Sequence, residues 1–222
     1  MRVLVTGGSG LLGSRMLRTF PPDWDVTGTC ASRDLPGLVR VRLEDGRALR
    51  QLIQEGRYDW IVHCAAIRSP DVCARDSGRA IEVNSVGTEC VALAAEDSGA
   101  RLAYASTDYV FPGDDPPYGE DDRPAPLNVY GHSKLAGEQL ALRVPGGLVV
   151  RMPALYSLDL EAPNNVLGGL TQSLREGREV GADDEAVRYY TLAEEVAAAF
   201  MFLMREHVRG IVHVSASDSS TK

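Results

Sequence analysis

Residues 128 to 138 read NVYGHSKLAGE and place Tyr130 four positions ahead of Lys134. At that spacing two side chains share one face of a helix. A phenol titrates at about 10 in water, and a cation beside it favours the ionised form. Such a pair can hand a proton to a carbonyl oxygen. The lysine is conspicuous, because Lys134 and Lys222 are the only lysines among the 23 basic residues. A compact ammonium can touch a phenol and a sugar hydroxyl together, which the wide guanidinium fork does less well. Upstream, YASTDYVFPG closes an apolar strand, and Thr107 there could hydrogen-bond the same carbonyl oxygen.

A second group of residues could hold a cofactor. VTGGSGLLG spaces Gly7, Gly10 and Gly13 three apart, directly after the first strand and into the first helix. Glycines so placed give a tight turn, room for a pyrophosphate against bare backbone, and close packing of helix on sheet. The helix N-terminus then faces the negative charge, so the pattern predicts a dinucleotide site. Past the second strand the chain runs Thr29, Cys30, Ala31, Ser32, Arg33, with no acid before Asp34. A hydroxyl and a guanidinium suit a 2′-phosphate, favouring NADP, with NAD possible. Arg33 read as a solvated loop charge is the alternative. His63 and Cys64 lie in an apolar run with no partner at ligand spacing, so they read as core residues and no metal site is expected. The acidic, proline-rich run GDDPPYGEDDRP reads as a solvated loop.

The elements that must position these residues alternate. Strands are predicted at 2–6, 25–30, 38–43, 60–66, 101–106 and 147–152, and helices near 11–19, 46–55, 78–97 and 129–143. Short apolar strands separated by helices indicate a parallel sheet covered on both faces. The expected fold is α/β, a doubly wound Rossmann sheet, with residues 1–152 as the NADP-binding domain. Residues 153–222 are expected to form a small, shortened substrate-binding lobe with elements returning to the main domain. In that part a helix is predicted over 164–176, and a capping box at Thr191 and Glu194 opens another through about residue 205. A last strand is expected at 210–217.

Composition narrows the class of partner. With 44% hydrophobic and 24% charged residues the chain is that of a globular protein. A net charge of −8 argues against nucleic acid or an anionic membrane as partner. The four cysteines show no C-x-x-C spacing, and the opening MRVLVTGGSG runs straight from a strand into a glycine turn, so neither a leader nor a spanning segment is expected. A reducing, cytoplasmic setting is the expectation.

Taken together, TGGSGLLG, HCAA, STDYVFPG, PLNVYGHSKLAGE and RMPALY resemble the extended short-chain dehydrogenase/reductase superfamily, in its dTDP-4-dehydrorhamnose reductase branch. The resemblance covers essentially the whole chain. It implies a catalytic triad of Thr107, Tyr130 and Lys134. It implies cofactor contacts at Gly7, Ser9, Gly10, Leu11, Leu12, Gly13, Ser32, Arg33, Leu43, Glu44, Cys64, Ala65, Ala66 and Asn84, with Tyr130 and Lys134 also touching the cofactor. Arg68, Tyr109 and Ala154 fall on the substrate side, where Ala154 replaces the aromatic residue usual in the reductases. The implied activity is NADP-dependent reduction of the 4-keto group of a nucleotide-linked deoxysugar. VTGTCASR, RSPDV and RMPALY are also similar to the regulatory β subunit of methionine adenosyltransferase, which implies the alternative of a non-catalytic NADP-binding subunit. The implied partners are accordingly a nucleotide sugar, and a second copy or a regulated enzyme. A nucleotide-sugar epimerase or dehydratase ranks behind both, since a dehydratase carries two acids after the threonine and this chain has Asp108 then Tyr109.

Overall fold

A computed structural model of the chain describes residues 1–31, 35–181 and 185–219. The expectation for Ser32 and Arg33 therefore lies outside the described residues. Seven parallel strands form the main sheet in the order β3-β2-β1-β4-β5-β6-β9. They are β1 (Arg2–Thr6), β2 (Asp25–Cys30), β3 (Leu38–Arg40), β4 (Trp60–His63), β5 (Arg101–Ala105), β6 (Leu148–Arg151) and β9 (Gly210–His213). The order reverses between β1 and β4. In a doubly wound Rossmann sheet that reversal opens a crevice at the carboxyl ends of the strands. A separate pair, β7 (Leu155–Tyr156) and β8 (Thr191–Leu192), stands beside it.

Two apolar layers cover the sheet. Helices α1 (Leu11–Thr19) and α8 (Ala193–Arg205) bury Met16, Val196, Phe200 and Met204 against Val3, Val5 and Val62 on one face. On the other, α2 (Gly46–Gly56), α5 (Gly87–Ser98) and α6 (Val129–Arg143) bury Leu49, Ile53, Val91 and Ala141 against Leu4, Ile61 and Leu102. The central strands are apolar on both sides for that reason.

Several elements depart from expectation. Strands β3, β4 and β9 stop early, at Arg40, His63 and His213. The stretch 78–97 is not one helix. It is α4 (Ser77–Ile81), a π-helical turn (Glu82–Val86) and then α5. A short helix, α3 (Pro70–Arg75), precedes them, with Ser69 capping it and Pro70 in its first turn. Helix α7 spans Val166–Arg175, two residues inside its predicted start. The capping box is absent: Leu192 begins α8 without a side-chain cap. Thr191 Oγ1 instead bonds Tyr189 and Ala216, and Ser157 claims the Glu194 carboxylate. Among the described residues no helix is long and apolar enough to cross a membrane. Among the same residues no group of three His, Cys, Asp or Glu could hold a metal ion.

Candidate active site

The glycine turn leaves β1 at the crevice. Gly7 takes φ +71, and a side chain there would press on the backbone of Ala65. A side chain on Gly13 would collide with the Gly7 carbonyl, so α1 can reach the sheet only with glycine at that position. Gly10 begins α1 with no side-chain cap on the first-turn amides. Those donors, the dipole behind them and the bare backbone of Gly7 to Gly10 fit a pyrophosphate. Ser9 and Gly10 are partly exposed along this turn, while Leu11 and Leu12 turn inward.

Across the crevice, Cys64, Ala65 and Ala66 follow β4 and remain partly exposed. Their path is fixed from below. The buried Asn84 in the π-turn accepts from Ile67 N at 2.7 Å and donates to Ile67 O at 2.9 Å and Ser133 Oγ at 3.0 Å. Its amide is thus committed to protein, and its influence on the crevice runs through the 64–67 segment. Thr88 Oγ1 donates to the Asn84 carbonyl, so it accepts from Nε2–H of His63, whose Nδ1 accepts from Thr6. Burial holds the His63 pKa down to about 3, which keeps this chain neutral. The Cys64 thiol is pushed up to about 12 by burial and is no nucleophile. Leu43 is buried against Gly87, and Glu44 pairs with Arg79 at 2.6 Å on the flank of the crevice.

Thr107 stands just past β5, at the carboxyl edge, with its hydroxyl donating to Asp108 Oδ1 at 3.0 Å. Asn128 caps α6 through Gly131 N at 2.8 Å and so orients the first turn that carries Tyr130. Gly131 lies too close to the Tyr109 carbonyl to carry a side chain, which brings that turn onto Thr107 and Tyr109. The Tyr130 phenol lies beside the Thr107 side chain. Its ring meets that of Tyr109 edge-on at 5.7 Å. One turn further, Lys134 is 3% exposed, with Nζ 3.9 Å from the centre of the Tyr104 ring. Burial lowers its pKa from 10.5 to about 7. Burial also raises the Tyr130 phenol, opposed by the nearby Thr107 side chain. The lowering expected from a neighbouring ammonium is not seen in the protein alone: burial dominates the Tyr130 phenol, and the Lys134 ammonium sits over the Tyr104 ring. Arg68 is exposed and donates to the Asn164 carbonyl at 3.2 Å, and Ala154 accepts Thr191 N beside β7.

Sequence reasoning missed the support beneath this triad. Glu138, one turn past Lys134, is 1% exposed and pairs with Arg151 at 2.8 Å, while Ser106 donates to the same carboxylate. The i to i+4 spacing from Lys134 could have pointed to Glu138. Nothing local signals Arg151, which comes from β6.

The profile of the family described as RmlD substrate binding domain matches residues 1–222. The chain belongs to this family. Among relatives of this RmlD-family chain, the methionine adenosyltransferase 2 subunit beta of Danio rerio is 41% identical over 229 residues, covering 100% of this chain and 70% of the relative. A probable low-salt glycan biosynthesis reductase of Haloferax volcanii is 32% identical, covering 100% and 76%. The crystal structure of a dTDP-4-dehydrorhamnose reductase from Bacillus anthracis, in complex with NADP, superposes with a TM-score of 0.88. It is 31% identical, with 99% of this chain and 77% of that chain covered.

Proposed function

We propose that this RmlD-family protein is an NADP-dependent reductase of the 4-keto group of a nucleotide-linked deoxysugar. The observation that carries the reading is the Tyr130 phenol beside Thr107 at the carboxyl edge of β5, with the buried Lys134 one helical turn further along α6. Residues Gly7 to Gly13, Cys64 to Ala66, Tyr130 and Lys134 would hold NADP, as the glycine turn and the bare N-terminus of α1 fit its pyrophosphate. Bound NADPH would supply the hydride. Thr107 orients the keto oxygen, Tyr130 donates the proton to it, and Lys134 steadies the ribose and, once so engaged, favours the phenolate. Arg68, Tyr109 and Ala154 face the sugar, in a part of the chain we assign to residues 153–222 together with the crevice rim. The setting that fits this chemistry is the cytoplasm.

The test is NADPH oxidation across dTDP-, GDP- and UDP-linked 4-ketosugars. Tyr130→Phe is expected to abolish turnover while NADPH binding survives, and full activity in that variant would sink the mechanism. A second reading, a cofactor-binding regulatory subunit, is favoured by the 41% identity to the Danio rerio β subunit. Silence across the sugar panel, together with NADPH binding and co-purification with a methionine adenosyltransferase, would select it.

A further inference from the structure

The loop of residues 157–165, between β7 and α7, is tied to both sides of the crevice. On the glycine-turn side, Ala162 packs with Leu11, the first helical residue of α1, and with Leu155 and Ala193. One turn along the same face of α1, Arg15 is 4% exposed, and its Nη1 lies 2.9 Å from Asp159 Oδ2 and 3.6 Å from Glu194 Oε1. Ser157 donates to the same Glu194 oxygen. The loop is stiffened from within by the buried Asn165, which bonds Ser157 N, Ser157 O and Asp159 O. On the catalytic side, its Asn164 carbonyl accepts from Arg68.

The ion cluster is incomplete. Among the described residues, Arg15 Nε and Glu194 Oε2 are both buried and lack hydrogen-bond partners. A buried donor and a buried acceptor left over in one cluster carry a desolvation cost that a small shift could recover.

We infer that residues 157–165 form a strap across the dinucleotide groove, and that Arg15 is the positioning residue that fastens it. This rests on the reading of the groove as an NADP site. The strap spans from the helix that faces the pyrophosphate to the segment that follows β4, so a bound dinucleotide leaves only after the strap lifts. Lifting parts the buried Arg15 guanidinium, and the exposed Arg18 beside it, from Asp159, and parts Ser157 from Glu194 on α8; leaving Arg15 buried without that anion slows release more than capture.

Stopped-flow fluorescence of NADPH with the full chain tests this, using Arg15→Met and the milder Asp159→Asn. Both are expected to release NADPH roughly tenfold faster, the equivalent of about 1.4 kcal/mol, with association little changed, and Asp159→Glu is expected to restore slow release. A purely structural role for the cluster would lower the melting temperature and leave the release rate alone. Should Arg15→Met fail to fold, Asp159→Asn decides. Wild-type release rates in a folded Asp159→Asn overturn the strap while leaving the cofactor reading intact. A wild-type protein that binds no NADPH overturns both.

Discussion

At the scale of single residues, Lys134 explains why the chain keeps a lysine where it otherwise uses arginine. A buried ammonium that makes no ion pair among the described residues tends to lose its proton, and here the pKa falls from 10.5 to about 7, through burial first and against the pull of the nearby Glu138. Arginine would remain charged in that place. Between about pH 7 and 10.5 the unfolded chain therefore holds a proton that the folded one lacks, so stability rises with pH across that window. Below about 7 both states are protonated and the penalty is complete. Lys134→Met should stabilise the cofactor-free protein at and below neutral pH by roughly 3–5 kcal/mol and flatten its rise above neutrality. Urea unfolding at several pH values across the window measures both effects; an unchanged slope in the variant would show that the ammonium is not desolvated as its burial requires. His63 works in the opposite pH range. Its pKa of about 3 means that the unfolded state takes up a proton first as pH falls, so stability is lost below about 6.5.

At the scale of elements, the site depends on how strands end and helices begin. The glycine turn, α1 and α6 are legible in the sequence because the glycine spacing, the Tyr130–Lys134 motif and the apolar runs are local signals. The π-turn at Glu82–Val86 is not, since its cause is tertiary: Asn84 reaches across to Ile67 and Ser133. The mistaken capping box fails for the same kind of reason, with Ser157 from a distant loop taking Glu194. The triad positions could be named from a motif, whereas the Glu138–Arg151 pair under them needs β6 beside α6 and so appears only in the fold. Asn84→Ala is accordingly expected to strand both main-chain polar groups of Ile67 and cost about 1–3 kcal/mol for each group left dry. Hydrogen exchange should show the Ile67 amide opening faster than its neighbours in the variant. Uniform acceleration across the sheet would instead make Asn84 a general stabiliser rather than a local clamp. Glu138→Gln tests the layer below: leaving Arg151 buried without its anion should cost about 3–5 kcal/mol, read from the urea midpoint.

At the scale of the whole molecule, the residues after 152 complete the core as well as the crevice. Helix α8 lays Val196, Ala197, Phe200, Leu203 and Met204 onto the same layer as Met16, Phe20 and Trp24 from the first quarter of the chain. Strand β9 then pairs with β6 along Leu148 to Arg151. One face of the cofactor-binding sheet is therefore covered by chain from both ends, and the glycine turn sits on an element, α1, that α8 holds in place. Removing α8 would bare Val3, Val5, Met16 and Val62, all fully buried in the intact chain. A chain ending at Leu192 is thus expected to lose its cooperative unfolding transition rather than persist as a separate dinucleotide-binding unit. The milder Phe200→Ala, at a fully buried position, should cost about 3–5 kcal/mol by loss of transfer energy and creation of a cavity. Because α1 shares that cavity, NADPH binding should weaken in the same variant while the α6 face keeps its exchange protection. If Phe200→Ala loses stability with no change in NADPH affinity, the packing of α8 does not govern the placement of the glycine turn.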